Sequence, residues 1–303
     1  MGAYKEPHKR NTLETSDILK KVRKIEIKTR GLSRHIFSGH YHSAFKGRGM
    51  AFSEVREYQY GDEIRNIDWN VTARFNHPYV KVFEEERELT VMLLIDVSGS
   101  NDFGTQKQFK EEQMTEIAAV LAFSAIQNND KVGVIFFSDK IEKFIPPKKG
   151  TSHILRIIRE LIDFKPESQK TDLSEALRFL TNAIKKRCTT FILSDFIDTS
   201  FEKALRIASG KHDIVALRVF DIRETELPPV GLLEVFDKET GERRWIDASE
   251  SRVRKSYRNW WIAHSQTIET VFTRCGIDSA AISTDEDYVK PLLKLFAQRE
   301  FRF

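Results

Sequence analysis

The sequence predicts an α/β fold built on a doubly wound, mostly parallel sheet, and three observations carry that prediction. Thr90 to Ser100 reads TVMLLIDVSGS, an unbroken apolar run that stops at an acid and small hydroxyl residues. Val91 to Ile95 show no in/out alternation, as expected of a strand covered by helices on both faces. Further runs of this kind, KVGVIFFS from Lys131, Thr190–Leu193 and Ile214–Val219, alternate with segments of helical period, which is the signature of a parallel sheet.

Composition sets the frame. With 40% hydrophobic and 31% charged residues in 303, there is material for a large core. No apolar run approaches the roughly 20 residues of a membrane span. Met1 to Arg10 is polar and basic with nothing of a signal peptide, so a cytoplasmic location is expected. Cys188 and Cys275 are far apart and lack metal-type spacing, and read as idle thiols in a reducing compartment. The net charge of +4 is uneven, since residues 1 to 50 hold 12 Lys and Arg against 4 Asp and Glu. Such a basic leader suits an anionic surface, nucleic acid or an acidic partner, but a solvated amphipathic helix accounts for it more simply.

Taken in order, residues 1–30 form a basic segment in which Leu13, Ile18, Leu19, Val22 and Ile25 recur at helical steps behind a Thr15 or Ser16 cap. Residues 31–88 read as a small β-rich unit packed on the main domain, because no flexible linker separates them from Thr90. Its strands are expected at Ala51–Tyr58 and Tyr79–Phe83, with a turn at Tyr60-Gly61-Asp62. Residues 89–303 form the main domain. After the first strand come a helix at Phe109–Gln127, a strand at Lys131–Ser138 and an antiparallel edge strand at Ile141–Ile145 closed by Pro146-Pro147. Helices follow at Ser152–Phe164, Asp172–Lys186 and Phe201–Ser209, interleaved with the remaining buried strands. An insertion at about 226–248 carries a β-hairpin, Leu232–Asp247, turning at Thr240-Gly241. A long helix at Ser251–Thr273 bears Trp260, Trp261, Ile262, Ile268 and Phe272, and its aromatics are expected in the core, an exposed binding face being the alternative. A strand at Gly276–Ser283 and a helix at Glu286–Arg299 close the fold.

The candidate site lies at the strand ends, where ligands of open α/β sheets bind. Asp96, Ser98 and Ser100, in a loop turned by Gly99, bring one carboxylate and two hydroxyls together, hard oxygen donors suited to Mg²⁺ or Mn²⁺. A plain turn or helix cap is the simpler reading of this triplet alone. Thr171 in KTDLSEAL and Asp195 at the end of TFILSD add a hydroxyl and an acid from two more loops. This ordered set resembles the metal-ion-dependent adhesion site of the von Willebrand factor A domain. The resemblance implies a divalent ion held by Asp96, Ser98, Ser100, Thr171 and Asp195, with a position left for an acidic side chain of a protein partner.

A second cluster, Arg56, Asp62, Arg65 and Asp68 beside Trp69, is a possible interaction surface, although arginine–carboxylate pairing within the protein explains it as well. It falls within FSEVREYQYGDEIRNIDWNVTARFNHPYVKVFEEE. That run, leading directly into DVSGS, resembles domain-of-unknown-function family 58, whose members carry a von Willebrand A-like domain and accompany MoxR-type AAA+ ATPases. The resemblance implies a non-catalytic, metal-dependent protein-binding module that works with such an ATPase in assembly or remodelling of protein complexes. A metal-dependent phosphoester hydrolase is the alternative, but it needs a base, a nucleophile or a second metal, and no His, Cys or Lys follows a strand here. Nucleic-acid or anionic-surface binding through the basic leader is a further alternative. It lacks interleaved aromatics and a reader motif, so nucleic acid is not the expected partner.

Overall fold

The computed structural model describes residues 15–33, 41, 51–84, 89–99, 109–236 and 243–300. Its contacts divide the chain into two units, Lys46–Leu89 and the remainder. The larger unit begins with α1 (Thr15–Leu32), which packs along two later helices and places the Ser33 hydroxyl 3.1 Å from that of Ser124.

In the smaller unit β1 (Ala51–Glu57) pairs antiparallel with β2 (Tyr79–Glu84). Between them lie a 3₁₀ turn, Ile64–Asn66, and a helix the sequence reading did not anticipate, α2 (Trp69–Phe75). Asp68 starts α2 by accepting the Asn70 and Val71 N–H groups, and Asn76 ends it in the left-handed region at φ 58°. Seven residues are too few for an apolar period to show, which is why only the cap could have signalled this helix.

The larger unit is the doubly wound α/β sheet. Its strands are β3 (Thr90–Asp96), β4 (Lys131–Phe137), β5 (Ile141–Lys148), β6 (Thr189–Ser194), β7 (Asp213–Phe220) and β10 (Asp278–Ser283). They lie in the order β10-β7-β6-β3-β4-β5, parallel except for the antiparallel edge strand β5. Counted along the chain within this sheet, the order is 3-2-1-4-5-6, and the winding reverses between β3 and β6. The hairpin β8 (Leu232–Phe236) and β9 (Arg243–Asp247) forms a separate two-stranded sheet between β7 and β10 in sequence.

Helices cover both faces, so the central strands have no solvent side and no alternation. On one face Met92, Leu94, Ile135 and Ile192 meet α5 (Leu173–Ala183), α6 (Glu202–Lys211) and α8 (Ser251–Cys275). The intervening residues Leu93, Ile95, Val134 and Phe136 face the other way, toward α3 (Lys110–Gln127) and α4 (Thr151–Asp163). Each such leucine or phenylalanine, fully buried, contributes about 1.5–3 kcal/mol. A short α7 (Ile222–Thr225) follows β7, and α9 (Val289–Glu300) closes the chain. Buried Arg299 pins α9 to two strands, donating to Asp278 at 2.6 Å and to Asp213 at 2.5 Å. In α8 the aromatic expectation divides: Trp261, Ile268 and Phe272 are buried, whereas Trp260 and Ile262 are exposed. Consecutive residues of a helix stand about 100° apart, so Trp260 and Trp261 point to different sides and only one of them enters the core.

Candidate functional site

The loops after β3 and β6 meet at the switch point, the crevice where this topology places ligands. Asp96 ends β3 and is buried. Its Oδ1 accepts the Ser98 N–H at 2.9 Å, and its Oδ2 accepts the Ser194 hydroxyl at 2.7 Å. The Val97 N–H reaches the Phe137 carbonyl at 2.9 Å, which fastens the start of the loop to the end of β4. The Gly99 N–H donates to the Gln169 carbonyl at 3.1 Å, bringing the first loop against the segment that leads to Thr171. A Cβ on Gly99 would stand 2.9 Å from Gln169 Oε1, so this approach needs glycine or a displaced glutamine. The Asp172 N–H binds the Ser138 carbonyl at 2.9 Å, and half-buried Thr171 is thereby held in a loop laid across the ends of β3 and β4.

Asp195 follows β6 directly and is also buried. The next residue, Phe196, takes φ 55°, a conformation rare for a bulky side chain, and is locked there by edge-on contacts with Phe201 and Phe272. Burial, then the neighbouring Asp195 charge, pushes the Asp96 carboxyl up to about 6, against the hydrogen bonds from Ser98 and Ser194. Two buried acids thus stand on adjacent strand ends.

The structure therefore gathers Asp96, Ser98 and Asp195 at one strand-end rim, with the Thr171 loop against it. Ser100, the fifth expected ligand, lies outside the described residues. Among the described residues no three His, Cys, Asp or Glu side chains form a ready-made cation cage. An ion here would rest on Asp96, Asp195, the hydroxyls and water, and that donor set fits Mg²⁺ or Mn²⁺. Of the other acids near these loops, Asp172 caps α5 and Asp198 accepts the Ser200 N–H and hydroxyl.

Ser194, Lys110 and Glu224 belong to this neighbourhood and were missed by the sequence reading. Ser194 buttresses Asp96 from inside β6. Lys110, the first residue of α3, is wholly buried and donates to Asp195 at 3.0 Å and to Glu224 of α7 at 2.7 Å. Burial pulls the Lys110 pKa down, but the two carboxylates outweigh it and raise it, so the ammonium stays charged and is no general base. A cleft beside Asp96 is lined by Ser98, Glu111, Thr115, Leu161 and Phe164.

The second cluster is largely engaged within its own unit. Arg56 holds Asp62 through two hydrogen bonds of 2.8 and 2.7 Å. Asp68 caps α2 and pairs with Lys81 at 3.4 Å. Arg65 is exposed, and Trp69 is 67% exposed alongside exposed Tyr60, Ile64 and Phe75.

Comparisons with known proteins bear on family and not on activity. "Uncharacterized protein Rv1480" of Mycobacterium tuberculosis (strain ATCC 25618 / H37Rv) is 27% identical over 293 residues, 96% of this chain and 92% of that protein. An aerotolerance-related membrane protein from Bacteroides fragilis NCTC 9343 aligns in structure with TM-score 0.47 and 16% identity, over 71% of this chain and 100% of that one. The SpRpn10 VWA domain aligns with TM-score 0.40 and 13% identity, over 70% and 95%. No described helix is long and apolar enough to cross a membrane. The family model described as "Protein of unknown function DUF58" matches residues 54–267, from β1 into α8, and the chain belongs to that family.

Proposed function

We propose that this protein is a non-catalytic, divalent-metal-dependent protein-binding module. Asp96, Ser98, Ser100, Thr171 and Asp195 hold Mg²⁺ or Mn²⁺, directly or through water. The observation that carries the reading is the pair of buried carboxylates, Asp96 and Asp195, at the switch point. The ion supplies positive charge that neutral hydroxyls leave uncancelled, and an acidic side chain of a protein partner answers it. Ser194 and the Ser98 N–H orient Asp96, and the packed Phe196 turn fixes Asp195. By family resemblance the partner is a MoxR-type AAA+ ATPase or a protein that such an ATPase remodels.

Titration calorimetry with Mg²⁺ tests the site. Wild type is expected to bind one ion, and Asp96→Ala to lose at least about tenfold in affinity, some 1.4 kcal/mol. Equal binding by the two proteins would remove Asp96 from the site. Capture of the ATPase should fail in chelator and in folded Asp195→Ala. Retention in both would sink the metal bridge.

A further inference from the structure

Lys110 is the only lysine among the described residues whose side chain is fully buried. Its position is unfavourable on two counts. Removing an ammonium from water is costly, and a cation at the first residue of a helix opposes the helix dipole. Asp195 and Glu224 offset both by gripping the ammonium from two elements, the end of β6 and α7. Glu224 is itself held still, because its other oxygen accepts the Asp221 N–H at 3.0 Å in a capping box that starts α7. The cluster therefore offers the ammonium a partner independent of the metal site. Asp195 Oδ2, the oxygen that receives Lys110, belongs to a carboxylate an ion would also use. An ammonium and a divalent ion drawing on one carboxylate repel each other, most strongly where water is excluded.

From this we infer, resting on the metal reading above, that Lys110 is a resident cation that competes with the divalent ion for Asp195, with Glu224 as its alternative counter-ion. Without the ion, Lys110 neutralises Asp195 and keeps the crevice folded. With the ion, the ammonium leans on Glu224 and leaves Asp195 to the metal. Affinity is then set below what the oxygen donors alone would give, so the bridge to a partner forms and releases readily.

Mn²⁺ titration followed by electron paramagnetic resonance, with thermal unfolding in chelator and in excess Mn²⁺, tests this on the full chain. Lys110→Met is expected to bind Mn²⁺ at least tenfold more tightly than wild type. Its Tm should be lower in chelator, and the gap between the two Tm values wider. Glu224→Gln, which leaves the ammonium only Asp195, should move affinity the other way by fivefold or more. Binding by Lys110→Met but not by wild type also supports the inference, as the limit of strong competition. Folded Lys110→Met with wild-type or weaker affinity overturns it while leaving the metal reading intact. Failure of both proteins to bind Mn²⁺ overturns both. If Lys110→Met does not fold, Glu224→Gln decides: unchanged or tighter binding overturns the inference.

Discussion

His212 closes α6 with its N–H on the Ala208 carbonyl at 2.8 Å, and its ring nitrogen Nδ1 lies 3.2 Å from the Cys188 sulfur. Burial, followed by the charges of Lys211 and Arg187, pushes the imidazole down to about 4. The unfolded chain takes up that proton near pH 6.5 and the folded chain does not, so stability is full above about 6.5 and is lost as pH falls toward 4. The loss attributable to His212 is at most about 3 kcal/mol. Urea unfolding at pH 7 and pH 4.5 should therefore show a shallower acid loss in His212→Gln than in wild type, and parallel losses would remove His212 from the acid response. Asp96, pushed up to about 6, acts with the opposite sign, since the folded state holds its proton more tightly between about pH 4 and 6. At this scale the sequence was informative where chemistry follows an apolar run: Asp96, Ser98 and Asp195 sit where their strands end. Lys110 gave no such signal, because in KQFKEEQ it looks like any solvated residue opening a helix. Its burial depends on Asp195 and Glu224, respectively 85 and 114 residues away.

Among the elements, β4 shows how tightly the sheet is built beside the site. Gly133 lies where β5 passes over a register shift between Val132 and Val134. A Cβ there would stand 2.8 Å from Met92 Sδ and 2.9 Å from the Pro147 nitrogen, and the second contact is with backbone that has little room to yield. Gly133→Ala is therefore expected to destabilise by about 1–3 kcal/mol, measured as a fall in the denaturant midpoint at constant slope. A variant as stable as wild type would mean that β5 shifts freely. The apolar runs identified β3, β4, β6 and β7 because each is sealed on both faces and long-range packing agrees with local pattern. Elements held by polar contacts were less legible. α2 depends on the Asp68 cap and α7 on the Asp221–Glu224 capping box, neither of which yields an apolar period. Two prolines, expected to close β5, instead lie within it, which an edge strand tolerates because one side of its backbone has no ladder to lose.

At the scale of the whole molecule, the two units are unequal in what holds them. The larger seals the central sheet under helices, with β3, β4, β6 and β7 almost wholly buried. The smaller, Lys46–Leu89, is close to the ~40-residue size below which chains need metals or disulfides to fold alone. Among its described side chains Val80 is the only buried hydrophobic one, while Tyr60, Ile64, Trp69 and Phe75 are exposed. Among the described side chains, what fixes it is mainly polar: the Arg56–Asp62 pair and the Asp68 cap, beside the backbone β1–β2 ladder. Partly exposed ion pairs add little, so the described side chains of this unit set little against the entropy of ordering its backbone. Unfolding should therefore not be two-state. Native-state hydrogen exchange read by mass spectrometry is expected to show β1 and β2 amides exchanging at least about a hundredfold faster than those of β3 and β6, through local opening. Trp69→Ala, which removes an exposed ring, should leave the slow amides of the sheet unchanged. Equal protection of β1 and β3 would show that the small unit opens only with the sheet, and its stability would then have to come from something other than its own side chains.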